Sequence, residues 1–227
     1  MCIRDRYGSN FSRARRLNCA GIGFNNGRLF AIIVNEFDVI VALCMGLGLA
    51  AASGFRVFLP PFLLSIAVRA DAVDVDLTNS SLEYFDSNVA VILLGVATIA
   101  ELAAYYVPWV DNLLDSIASP AAVVAGTGMT AVVLEGNTDP VIQWSLAIIA
   151  GGGVTAVVQG ATVVTRGVST AITAGIGNPV VSTGENIASL ILSILAIVLA
   201  PLAAVVVLIL LAMILNRMLK KAKPSTA

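Results

Sequence analysis

Arg56 stands inside a long apolar stretch, and its charge is the first feature of the chain that demands a partner. Insertion scales charge about 2.5–3.5 kcal/mol for an arginine at the centre of a membrane helix, so it persists only where an acid, a carbonyl or water offsets it. Glu101, well inside a later apolar stretch, is the simplest acceptor, with Asp111, Asp115 and Glu185 as the others. Such a pair has two readings. It is either an ion pair beside a polar cavity, open to perturbation by a substrate or a proton, or a structural pair that fixes helix register. Asp111 and Asp115 are one helical turn apart and, with Asn112, set three oxygen ligands or a proton-relay pair on one side of a short helix. The plainer reading has Asp111 capping that helix and Asp115 facing interfacial water. Glu185 follows Ser182 at capping-box spacing. Asn178 precedes Pro179 and reads first as turn chemistry, while its amide and the neighbouring glycine backbone are candidates for contact with a substrate.

The inventory limits the chemistry further. Of 227 residues, 58% are hydrophobic and 12% charged, and histidine is absent. The absence removes imidazole metal sites, Ser-His-Asp triads and histidine proton shuttles. The apolar excess excludes an ordinary soluble enzyme. Lys and Arg number 13 against 14 Asp and Glu, with no dense basic stripe, so nucleic acid is not an expected partner. Cys2, Cys19 and Cys44 lack CxxC spacing and suggest no disulfide framework. No phosphate loop, metal box or nucleophile elbow occurs, so neither a metal nor a cofactor is expected.

These residues need an apolar scaffold to position them, and the chain supplies one in blocks. Residues 1–35 carry six arginines among Asn, Gly and Ser, read as a disordered tail; the opening Met-Cys-Ile-Arg-Asp-Arg has the look of adapter-derived sequence. Residues 36–216 form the transmembrane domain, and 217–227 a basic tail with Arg217, Lys220, Lys221 and Lys223. Phe37–Val68, as one helix, would measure about 48 Å against a hydrocarbon core of about 30 Å. The natural break is Ser53 to Pro61, where Gly54 frees the backbone and Pro60 and Pro61 remove donors. An acidic loop over 70–87 follows, placed outside the cytoplasm, and then a span from Asn88 to Val107.

Asp111–Ser119 reads as a polar connection, with Ser119-Pro120 as the N-cap and first residue of a short third span ending at Leu134. A fourth block, Val141–Thr165, contains Gly152, Ala156 and Gly160 four residues apart, a small-residue face for close helix packing. Gln159 and Thr162 are expected to bond across helices there, and Arg166 to snorkel to the cytoplasmic interface. Residues 166–183 read as a re-entrant or cavity-lining loop, and Gly184–Leu215 as a last block interrupted near Pro201. Tyr105, Tyr106, Trp109 and Trp144 read as interfacial anchors. Five apolar blocks are present, and placing both basic tails in the cytoplasm requires an even number of crossings. Five to six spans are therefore expected, with an overlong block crossing twice or the Gly175 region crossing if the count is six. A long interrupted block followed by a glutamate-bearing span occurs at 37–107 and again at 141–215, the weak internal duplication common in secondary transporters.

Three separated motifs, Leu47–Pro60 (LGLAAASGFRVFLP), Tyr105–Asp115 (YYVPWVDNLLD) and Gly177–Thr183 (GNPVVST), resemble the bacterial integral-membrane family catalogued as domain of unknown function 4126. The resemblance covers about residues 38–215 and implies residence in a bacterial inner membrane; it carries over no catalytic residue.

The sequence therefore predicts an all-α, polytopic transmembrane bundle with interrupted helices, whose partner is the lipid bilayer. The leading expectation is transport of a small solute or ion, with Glu101 or the Asp111 and Asp115 pair coupling protons and Arg56 either stabilising the ionised carboxylate or holding an anionic group. The exposed backbones of Gly54 and Gly177-Asn178 would then offer donors and acceptors to the cargo. The alternative is a non-transporting scaffold that uses the Gly152, Ala156 and Gly160 face to bind another membrane protein or a second copy. A membrane enzyme acting on lipids is the third reading.

Overall fold

The structure, a computed structural model, describes residues 26–222 apart from 74, 76, 78, 79 and 107, with side chains from Phe37 onward except those of 107–115 and 221–222. Residues 1–34 and 35–227 separate into two units. Among the described residues the chain is helical and has no strand. The helices are α1 (Asn26–Ser53), α2 (Leu59–Arg69), α3 (Asn88–Ala104), α4 (Pro108–Leu134), α5 (Pro140–Leu146), α6 (Gly153–Thr173), α7 (Asn178–Val198) and α8 (Ala200–Ala222). α1 thus begins inside the stretch read as a disordered tail.

The break predicted between Ser53 and Pro61 is present as the gap between α1 and α2. The second predicted interruption lies at Leu199, with Pro201 in the first turn of α8. Elsewhere the chain is more helical than its punctuation suggests. The expected connection at Asp111–Ser119 is part of α4, which runs through Pro120 without ending. Proline in a helix interior removes one backbone bond, but here Ala118 and Ala122 on either side of it pack with Val57, so tertiary burial overrides the local breaker. The expected re-entrant loop at 166–183 is instead the end of α6, a tight turn with Ala174 and Gly175 at φ 52° and 88°, and the start of α7. α5 and α6 join through a π turn over Ala147–Gly152 into one apolar run, Pro140–Thr173.

Four helical stretches are long and apolar enough to cross a membrane, Ser116–Leu134, Pro140–Thr173, Asn178–Val198 and Ala200–Lys220; shorter apolar helices cover Phe37–Ser53, Leu59–Arg69 and Asn88–Ala104. The helices are also inverted relative to a water-soluble bundle. α7 exposes Val180, Ile187, Ile191 and Val198 while burying Asn178, Ser182, Glu185, Ser189 and Ser193. α3 buries Thr98 and Glu101, with Tyr105 buried at its C-cap, and exposes Val89, Leu93, Val96 and Ile99. In water such apolar faces would aggregate; in hydrocarbon they are the solvated faces, and the polar stripes must find partners inside.

The end of α1 is what they surround. Leu49 through Ser53 have no exposed surface. Hydroxyls from three neighbouring helices reach its carbonyls: Thr130 of α4 donates to Gly46 at 3.3 Å, Thr155 of α6 to Ala50 at 2.7 Å and Ser189 of α7 to Ala52 at 3.0 Å. Close approach is made by small residues. A Cβ on Gly48 would lie 2.6 Å from the Ala196 Cβ of α7 and 3.0 Å from the Ala203 Cβ of α8. Within the chain, therefore, the tight small-residue contact is Gly48, Ala196 and Ala203. Of the stripe read from the sequence, Gly152 is buried, meeting Thr127 of α4, whereas Ala156 and Gly160 are exposed. The π turn ending at Gly152 rotates the inward face of α6 onto Thr155, Val158, Gln159, Thr162 and Arg166.

Gly48→Leu should accordingly lower stability by about 1–3 kcal/mol through overpacking, measured by denaturant titration of the purified protein in detergent. Gly184→Ala, at an exposed helical glycine with nothing within 4 Å, should leave stability unchanged or slightly raised.

Candidate functional site

The site forms where the broken helix meets α3, α6 and α7. After α1 ends, Phe55 and Arg56 fold their N–H groups back onto the Ala52 carbonyl, both at 3.1 Å. That turn points the Arg56 side chain into the bundle, where it has no exposed surface. Its guanidinium donates through Nη2 to the Ser182 carbonyl at 2.9 Å and through Nε to the Asn186 side-chain oxygen. Arg56 Nη2 also lies 3.4 Å from Glu185 Oε2.

Arg166 of α6 reaches the same carboxylate. Its Nε lies 3.3 and 3.0 Å from the two Glu185 oxygens, and its Nη2 bonds Oε2 as well. Both guanidinium carbons lie 4.0 Å from the centroid of the Tyr105 ring of α3, so the aromatic π-system adds a second attraction for the cations. One carboxylate and one aromatic ring thus hold two buried arginines.

Glu101 has a different task. Its Oε1 accepts from the Val57 N–H at 2.7 Å and its Oε2 from the Phe58 N–H at 2.9 Å. These are the open donors at the start of α2, where Pro60 and Pro61 contribute none and Phe58 offers no side-chain cap. A carboxylate there also faces the positive end of the α2 dipole, while Arg56 sits at the negative end of α1. The break is thereby held between two glutamates, Glu101 from α3 and Glu185 from α7.

This arrangement corrects several sequence expectations. The partner of Arg56 is Glu185, and Glu101 is a backbone cap from a neighbouring helix. The capping-box reading of Ser182 and Glu185 fails because α7 begins at Asn178, a full turn earlier. Arg166, at 3% exposure, does not snorkel, and Tyr105, at 3%, is no interfacial anchor. The backbone near Gly54 and Gly177 offers little to a cargo: Gly54 N–H bonds the Ala50 and Ala51 carbonyls, and Gly177 N–H bonds Thr173 Oγ1. Gly54 serves close packing instead, since a Cβ there would lie 2.6 Å from the Val158 Cβ. Asn178 is buried and donates to Thr170 Oγ1 at 2.9 Å, tying α7 to α6. Gln159 crosses to Ser119 at 3.5 Å, whereas Thr162 bonds within its own helix. The side chains of Asp111, Asn112 and Asp115 lie outside the described residues. No group of three or more Cys, Asp or Glu that could hold a metal occurs among the described residues.

Arg166, Tyr105, Ser182 and Asn186 were missed as site residues, yet a signal was present. Thr155, Gln159, Thr162 and Arg166 recur at helical spacing in α6, as do Ser182, Glu185, Ser189 and Ser193 in α7. In a membrane helix a polar stripe of this period marks the inward face.

Removing Glu185 leaves two buried cations without their carboxylate, so Glu185→Ala should cost about 3–5 kcal/mol. Glu101→Ala strands two backbone donors and should cost about 1–3 kcal/mol for each. Denaturant unfolding in detergent should place both variants below the wild type.

With the geometry in view, the chain can be set against known proteins. No curated protein and no solved structure matches it. The family model described as "Domain of unknown function (DUF4126)" matches residues 43–221, a stretch that includes every residue of the cluster, and the chain belongs to that family.

Proposed function

We propose that this membrane protein carries a small solute or ion across the bilayer, with Arg56 at the centre of the binding site. The observation that carries the reading is a fully buried arginine at a break between two helices, bonded to side chains and backbone of another helix rather than to its own. Discontinuous helices with charged groups at the break are the usual way that transporters expose polar groups to cargo inside the membrane. Glu185 is the carboxylate suited to coupling. It is the acceptor that both cations share, so a cargo competing for either arginine must loosen it, whereas both oxygens of Glu101 are committed to backbone N–H groups. On this reading the protein has no catalytic role, resides in a bacterial inner membrane, and keeps its basic C-terminal end in the cytoplasm.

A second reading, a non-transporting scaffold held in register by the same ion pairs, draws support from the burial of every charge in the cluster, none more than 7% exposed. It leaves the exposed Ala156 and Gly160 for a membrane partner.

Reconstituted vesicles separate the two. Under iso-osmotic gradients of potassium acetate, potassium phosphate, urea and glycerol, stopped-flow swelling should show at least one flux above empty vesicles, reduced about tenfold or more by Arg56→Lys. Lysine keeps the charge and loses the planar fork of donors. Vesicles holding folded wild-type protein that swell no faster than empty ones would contradict transport.

A further inference from the structure

Two buried side-chain atoms of the cluster have no hydrogen-bond partner: Arg56 Nη1 and Ser182 Oγ. Both residues have no exposed surface. They are neighbours, because Arg56 Nη2 donates to the Ser182 carbonyl at 2.9 Å. The Ser182 hydroxyl also departs from the habit of this bundle. Thr98, Thr165, Thr183 and Ser193 each donate to the carbonyl four residues earlier in their own helix. The hydroxyl of Ser182, equally helical and wholly buried, bonds neither its own helix nor another.

A guanidinium N–H and a hydroxyl left without an acceptor in a low-dielectric interior are costly, and the cost recommends a missing acceptor. The two donors say which kind. Arg56 and Arg166 share the Glu185 carboxylate, while both oxygens of Glu101 are taken by the Val57 and Phe58 N–H groups. The atoms without a partner are thus a charged donor on Arg56 and the hydroxyl of the residue whose carbonyl Arg56 already holds, a pair that an oxyanion satisfies.

We propose that Arg56 Nη1 and Ser182 Oγ bind an oxygen-bearing anion, a carboxylate or a phosphate, at the contact between the helix break and α7. The inference rests on the solute-binding reading above and names the class of its cargo. The anion occupies the edge of Arg56 that Glu185 leaves open and accepts from the two donors for which the protein provides no acceptor.

The test uses the full chain, purified in detergent, with thermal unfolding and isothermal titration against potassium acetate and potassium phosphate, and potassium chloride at equal ionic strength as control. One of the oxyanions should raise Tm where chloride does not. Ser182→Ala, which removes the unsatisfied hydroxyl, should have a Tm in chloride at or above that of the wild type and bind that oxyanion about tenfold more weakly. Glu185→Gln, which removes the resident carboxylate, should lose Tm in chloride and regain part of it with the oxyanion. An identical response of wild type and Ser182→Ala, or no oxyanion response in the wild type, would overturn the site. Nanodiscs of phosphatidylcholine and phosphatidylglycerol separate the two sources of the chemistry. Ser182-dependent stabilisation by phosphatidylglycerol supports the site with a lipid phosphate as its ligand, and stabilisation by soluble salts in phosphatidylcholine supports it with a free anion. Ser182-dependent binding without vesicle flux would sink transport and keep the site; flux without such binding would do the reverse.

Discussion

Two arginines buried among membrane helices must be neutralised by groups that the helices themselves bring, because hydrocarbon offers nothing in place of water. Most of the architecture around the break follows from that constraint. Arg56 is tied to Ser182, Glu185 and Asn186 of α7, Arg166 brings α6 to the same carboxylate, and Tyr105 brings α3 beneath both cations. A set of helices with little hydrophobic reason to prefer one another in lipid thereby acquires a defined arrangement.

The break between α1 and α2 is stable for a related reason. Interrupting a helix in a membrane opens donors at one end and acceptors at the other, and each needs a partner. The donors of α2 go to Glu101, and carbonyls near the end of α1 receive hydroxyls from Thr155 and Ser189. Gly48 and Gly54 supply the space that lets α7, α8 and α6 come close enough for these bonds. Polar satisfaction and close packing are thus one device: the hydroxyls reach the backbone only because small residues let the helices touch.

Much of this was readable in the residues, in a graded way. The all-α class, the interruption at Ser53–Pro61 and the need of Arg56 for an acid all follow from hydropathy, proline chemistry and the cost of a buried charge. The choice of acid did not, since sequence distance says nothing of which of two glutamates a folded break will face. Glu101 went to the backbone because Pro60 and Pro61 leave the start of α2 dependent on an outside cap. Proline misled at Pro120, where flanking alanines packed against Val57 keep α4 continuous. Arg166 and Tyr105 were misread because proximity to the end of an apolar block suggests an interface. Their helical phase with Thr162 and with Glu101 tells more than their distance from the block's end, and it points inward.

The central claim is that the buried cations and anions of the break depend on one another, and a double-mutant cycle measures it most directly. Unfolding free energies of the wild type, Arg56→Met, Glu185→Leu and the double variant should be strongly non-additive. The account predicts a double variant less destabilised than the sum of the singles by about 1–3 kcal/mol, because the double variant strands Arg166 alone whereas Glu185→Leu strands both cations. Additivity within about 0.3–0.5 kcal/mol would mean that each residue acts alone, and would contradict the account.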